Sequence, residues 1–159
     1  MSVPSRRRFF ALSSGLLLAA CGTPSPRTVG AHWQGRLNVR VESQPPKTFS
    51  AGFTLRGSPQ YGTLLLSSPL GTTEAAVSWQ PGDATLQRSG TVRRYRSMDE
   101  LTLNLLGAAV PMPALFAWLR GLPSAAAGWQ ADLRSYGNGR IVARRFSPTP
   151  TATLTVLLQ

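Results

Sequence analysis

The chain has one cysteine, one histidine, one lysine and only six acidic residues among its 159. Each shortage excludes something. With Cys21 as the only thiol, no disulfide can form within a monomer, so the fold must rest on its hydrophobic core. The lone histidine, His32, stands in what reads as a lead-in to the first strand, and the acidic residues are dispersed. No spacing of His, Cys, Asp or Glu suits a metal, and Ser67 and Ser68 have no histidine near them in sequence. The sequence therefore reads as a non-enzyme that needs no cofactor. Past the first twenty residues no stretch stays apolar for 18 positions, so the rest of the chain offers no membrane-spanning helix.

What is present at the N-terminus is a targeting pattern. Arg6, Arg7 and Arg8 form a positive block, followed by an uncharged and mostly apolar run from Phe9 to Ala20 that is too short to span a bilayer. It ends in Leu18-Ala19-Ala20-Cys21, which resembles the bacterial lipobox: an aliphatic residue, two small residues that admit a peptidase, and a thiol able to carry a thioether-linked diacylglycerol. Residues 1–20 are expected to be a signal peptide and Cys21 the lipidated first residue of the mature chain. The alternative is an ordinary secretory signal beside a stray thiol. Ser5-Arg6-Arg7-Arg8-Phe9-Phe10 also resembles a twin-arginine signal, and the export route stays open. Gly22 in place of an aspartate after the cysteine fits the outer membrane. The proline- and glycine-containing stretch that follows reads as a flexible tether, giving a lipidated N-terminus and tether over 21–31 and one domain over 32–159.

Residues 1–20 hold three of the 17 basic residues and none of the 6 acidic ones, so the mature 139 residues keep a net charge of +8. The arginines are scattered and alternate with apolar residues, as on a solvated sheet face. A nucleic-acid partner is not expected outside the cytoplasm. An anionic lipid surface, an acidic partner protein, or simple solvation are the readings that remain.

Period two dominates from Trp33. Trp33, Gly35, Leu37, Val39 and Val41 share one face of a strand, and Phe49, Ala51, Phe53 and Leu55 one face of the next, over Thr48 to Arg56. Further strands are expected over Tyr61–Ser68, Thr73–Trp79, Ala84–Arg88 and Thr91–Tyr95, with turns short enough to make neighbours antiparallel. The period then changes. Ser97 and Glu100 match a capping box, and Leu101, Leu105 and Leu106 recur at helical spacing before Gly107 and Pro111. A second helix is expected from Pro113 to Gly121, followed by strands over Trp129–Tyr136, Arg140–Phe146 and Thr151–Leu158, with Gly137-Asn138-Gly139 as a tight hairpin. A single antiparallel sheet of about nine strands tends to curl, and two apolar helices inserted midway must bury their faces in its concave side. The expected fold is mainly β: a curled antiparallel sheet forming an open half-barrel, with a helical lid over an apolar cavity.

Trp33-Gln34-Gly35-Arg36-Leu37, Ser50-Ala51-Gly52-Phe53, Leu65 to Glu74, Leu115 to Gly121 and Gly128-Trp129 occur in an order that resembles the LolB family, outer-membrane lipoprotein receptors of the Lol sorting pathway. The resemblance implies about eleven strands in an open barrel capped by three helices. It also implies a cavity for the acyl chains of lipoprotein cargo, a soluble periplasmic LolA-like carrier as partner, delivery to the outer membrane without ATP, and a monomer. One departure is that the segment before Trp33 is short and proline-broken, which puts the first lid helix in doubt.

The inward residues expected to line the cavity are Leu37, Val39, Phe53, Leu55, Leu64, Leu66, Trp79, Leu115, Trp118 and Leu119; periodicity alone favours an ordinary dry core, and the resemblance reverses that preference. Leu65, on the other face of its strand, is nearly as good a candidate as Leu64. Leu70, flanked by Pro69 and Gly71 in a hairpin loop, stands where the family has a protruding leucine that helps insert cargo into the membrane; the alternative folds it back onto the core. The rival to the receptor reading is a lipid-anchored structural or interaction module of the envelope that carries no lipid.

Overall fold

The structure, a computed structural model, describes residues 30–159. Nine strands follow in chain order: β1 Ala31–Val41, β2 Lys47–Gly57, β3 Gly62–Ser67, β4 Thr73–Gln80, β5 Asp83–Arg88, β6 Thr91–Tyr95, β7 Trp129–Asp132, β8 Arg140–Arg145 and β9 Ala152–Leu158. Two helices, α1 Met98–Leu106 and α2 Met112–Trp118, lie between β6 and β7. All strands join one antiparallel sheet in the order β6-β5-β4-β3-β2-β1-β9-β8-β7, so β6 and β7 are free edges and the barrel stays open. The short turns bring successive strands side by side, and β9 pairs with β1 to join the last three strands to the first six. Among the described residues there are thus fewer strands and helices than the eleven and three that the resemblance implies. The stretch that puts the first lid helix in doubt lies almost wholly in residues 22–29, outside the described residues.

Alternation fixes which face is inward. Val39, Val41, Ala51, Phe53, Leu55, Leu66, Val77 and Trp79 are buried, while Arg36, Arg40, Arg56 and Thr63 between them are exposed. Leu65 is 43% exposed and lies on the convex side, whereas Leu64 is half-buried on the concave side. The first strand starts at Ala31, paired with Gly57, and includes His32, so the sheet begins one residue before the expected boundary and His32 belongs to it.

Local chemistry sets the helix ends. Ser97 Oγ accepts from the Glu100 amide at 3.2 Å, and Glu100 Oε2 accepts from the Arg96 amide at 2.8 Å, one residue before the position a standard capping box uses. Gly107, at φ +83°, ends α1 in the left-handed conformation that glycine adopts at little steric cost. Pro113 sits in the first turn of α2, where its missing N–H costs no helical bond. Two expectations fail after the helices. The strand expected over Trp129–Tyr136 stops at Asp132, because the Asp132 carboxylate accepts the Arg134 amide and turns the chain. Gly137-Asn138-Gly139 is not a two-residue hairpin but part of a wider connection with a 3-10 turn at Tyr136–Asn138.

The helices lie on the concave face, α1 against β5 and β6 and α2 through its aromatic rings. Phe116 meets Trp33 edge-on at 5.4 Å and Trp79 at 6.3 Å, and Trp118 packs on Trp129 at 6.2 Å. The indole N–H groups are satisfied: Trp79 donates to the Ser58 carbonyl and Trp118 to the Ser124 carbonyl. Tyr136 adds a hydroxyl bond to the Leu119 carbonyl at the end of α2.

Candidate cavity and membrane-facing loop

Between sheet and lid lies an apolar cavity of about 80 Å³. The sheet supplies Leu37, Val39, Phe53, Leu55 and Leu64, and α2 with the turn after it supplies Leu115 and Leu119, all expected from the sequence. Leu66, Trp79 and Trp118 are elsewhere: they are buried in the core but do not border this space. For the two tryptophans the reason is hydrogen bonding, since each indole is turned toward a loop carbonyl. The sequence reading missed Met98, Thr102, Leu106, Val110, Met112, Leu154 and Val156. The apolar period of β9 could have pointed to Leu154 and Val156; the helix and loop positions depend on how the lid docks. Thr102 is the polar residue in this wall. Its hydroxyl donates to the Met98 carbonyl at 2.8 Å and accepts from the Val110 amide at 3.0 Å, so its hydrogen bonding is spent inside the lid.

The volume is informative. It is far below the several hundred Å³ of pockets that take drug-sized ligands. A ligand as long as an acyl chain does not fit this space as it stands. The two helices are held differently: α2 by the rings of Phe116 and Trp118 and by Tyr136, and α1, which has no aromatic residue, by packing against β5 and β6 with Met98 and Leu101 buried.

The β3–β4 loop has a defined shape. The Gly71 amide donates to the Ser68 carbonyl, closing a β-turn with Pro69 at its second position. The Ser68 amide bonds back to the Thr72 carbonyl, and Ser68 Oγ accepts the Thr72 amide. Leu70, at the tip, is 93% exposed and does not fold back onto the core. Cys21 lies outside the described residues.

Charge is concentrated outside. Every arginine among the described residues is exposed except Arg145, whose Nη1 is buried without a hydrogen-bond partner there. Glu42 holds Arg40 by a 2.6 Å ion pair and raises its pKa. Arg134, through its side chain and then its amide, holds the Asp132 carboxyl well below the ordinary carboxylate range. Among the described residues no group of His, Cys, Asp and Glu is arranged to hold a metal, and no helix is long and apolar enough to cross a membrane.

An open half-barrel with a helical lid over an apolar space, and an exposed leucine on a rigid loop, defines a lid-covered half-barrel of the binding kind. Comparison with known proteins makes this particular. The profile of the family described as outer membrane lipoprotein LolB matches residues 31–144. The outer-membrane lipoprotein LolB of Bordetella petrii is 35% identical, over 86% of this chain and 85% of that protein. Those of Chromobacterium violaceum and Yersinia pestis are each 32% identical, over 83% and 82% of this chain and 76% and 73% of theirs. The chain belongs to the LolB family; it is an outer-membrane lipoprotein and not an enzyme.

Proposed function

We propose that the protein receives lipoproteins from a soluble, LolA-like periplasmic carrier. It shelters their acyl chains between sheet and lid and passes them to the outer membrane without ATP. The observation that supports this reading best is the apolar space bounded by both helices and by five inward residues of β1, β2 and β3. Acyl chains cannot cross water uncovered, because each methylene gains about 0.8 kcal/mol on burial. Transfer without a nucleotide needs a downhill order of affinities: carrier, then receptor, then bilayer. The closed cavity is too small for a chain, so uptake is coupled to lifting the lid. α1 is the part that moves, because α2 is clamped by its aromatic residues. Lifting α1 uncovers Met98, Leu106 and the inward leucines while the sheet stays folded.

In this reading Cys21, the chain's only thiol, carries the lipid anchor after removal of residues 1–20, and the domain acts as a monomer. Leu70 enters the bilayer during release; its burial is worth roughly 1.5–3 kcal/mol, enough to guide transfer and too little to anchor a protein. The small closed volume favours one rival, a lipid-anchored envelope scaffold with a filled core. A transfer assay separates them. A labelled lipoprotein is loaded on the carrier and mixed with residues 21–159 bearing Cys21→Ser, and pull-down reports which protein holds it. Movement of cargo without ATP is expected, and Leu115→Trp, which fills the cavity, should block it. Cargo that stays on a competent carrier would leave the scaffold reading.

A further inference from the structure

The β5–β6 hairpin carries two arginines on the concave side that the function above does not use. Arg88 of β5 pairs with Thr91, and Leu86 with Arg93 of β6, so Arg88 and Arg93 are diagonal neighbours on one face. With Ser89, Thr91, Tyr95 and Asn104 of α1 they surround a pocket of about 360 Å³ floored by Leu86 and Leu105. Neither arginine has an ion pair among the described residues. Glu74, the nearest acidic residue along the strands, falls at the register shift between the Leu66–Ala75 and Ser67–Thr73 pairs and makes no ion pair with either arginine. Glu100 lies one helical turn before Asn104, whose side-chain amide donates to the Glu100 carbonyl, and the Glu100 carboxylate accepts from the Arg96 amide. The last turn of α1 brings carbonyl dipoles to the pocket, but these amount to about half a unit charge against two full positive ones.

The register places this pocket beside Leu70. Leu66, Ala75, Arg88 and Thr91 form one row across β3, β4, β5 and β6, and the Leu70 loop begins two residues past Leu66. Arg88 is therefore two strands, roughly 10 Å, from the strand that ends in the loop. An apolar tip and a cationic, hydroxyl-lined pocket thus share one end of the sheet.

We infer that Arg88 and Arg93 bind the phosphate of anionic phospholipids while Leu70 enters the bilayer, so that delivery is tuned to an anionic lipid surface. The inference rests on the membrane-facing reading of Leu70. The test uses residues 21–159 with Cys21→Ser, which contain the whole described fold, and vesicles of phosphatidylcholine alone or mixed with phosphatidylglycerol. Sedimentation should show preference for the mixed vesicles. Arg88→Gln with Arg93→Gln should cut it about fivefold per side chain, roughly thirtyfold together, and added salt should weaken it. The charge-matched pair Arg140→Gln with Arg144→Gln, on the convex face, should have a clearly smaller effect. Equal loss from both pairs, or no anionic preference, would overturn the inference. Saturable binding of inorganic phosphate without vesicle preference would mean a free-phosphate site, and loss confined to carrier binding would mean an acidic protein partner; either overturns the lipid assignment. Leu70→Cys, then the sole cysteine, carries a polarity-sensitive dye that reads insertion independently. A dye that enters neutral vesicles while the arginine pair has no effect sinks this inference alone. A dye that stays in water in every vesicle sinks the loop reading.

Discussion

Leu70 and Arg145 are opposite departures from ordinary burial, one an apolar side chain in water and the other a charged one in the core. Leu70 is held in its exposed position by the turn closed between Ser68 and Gly71, so its exposure does not stem from a loose loop. Leu70→Glu should therefore leave folding and uptake of cargo from the carrier unchanged and stop delivery to vesicles. Normal delivery by this variant would show that the loop has no part in release. Arg145 is 7% exposed and lies between Trp129 and Ala152 on neighbouring strands. A buried donor without an acceptor costs about 1–3 kcal/mol, and an apolar residue of similar length removes that cost. Arg145→Met should raise the midpoint of urea unfolding by the equivalent of about 1 kcal/mol. A fall would show that the guanidinium is satisfied in solution.

The strands were legible because burial alternates along them, and so were both helices, because their caps and stops are local. The lining of the cavity was legible only in part. Leu64 and Leu65 cannot be ranked by period when both are leucine; pairing with inward Leu55 decides it. Trp79 and Trp118 read as lining because they are large and apolar, but their N–H groups turn them toward loop carbonyls. Met98, Val110 and Met112 enter the wall through the docking of the lid, which no local pattern encodes. The aromatic hold on α2 gives a direct test. Phe116→Ala removes the ring between Trp33 and Trp79 and should cost about 3–5 kcal/mol of global stability. By hydrogen exchange, α1 should open more readily than α2 in the unaltered protein; equal protection of the two helices would refute the moving-α1 scheme. At the end of β7 the Asp132–Arg134 pair predicts a pH effect. The folded pKa of Asp132 is depressed, so its contribution to stability is present above the ordinary aspartate value near 3.9 and is lost only as pH falls through the lower folded value. An NMR titration should find this carboxylate still ionised near pH 3, where a free aspartate is mostly protonated; ordinary titration would mean the pair opens in solution.

The proposed function gives the two ends of the sheet different duties, and the chain must then connect them to one membrane. β1 begins at Ala31, opposite Gly57, whereas the Leu70 loop leaves the sheet next to the row that joins Ser67 to Gly52. Five residues of β2 separate those rows, about 17 Å at strand rise, and the loop adds to that. The lipid proposed for Cys21 is therefore attached at the end of the domain away from the leucine that is to enter the bilayer. The ten steps from Cys21 to Ala31 can span at most about 35 Å, whatever path they take. That exceeds the separation of the two ends, so an anchored domain can turn its Leu70 end to the membrane that holds it. Deleting residues 23–28 leaves four steps, about 14 Å at full extension, which is less than the separation. The lipidated deletion variant should accept cargo from the carrier and fail to deliver it. The same deletion combined with Cys21→Ser should deliver as well as the full-length Cys21→Ser protein, because nothing then limits its orientation. Undiminished delivery by the lipidated deletion variant would mean that release does not need anchor and Leu70 in the same bilayer.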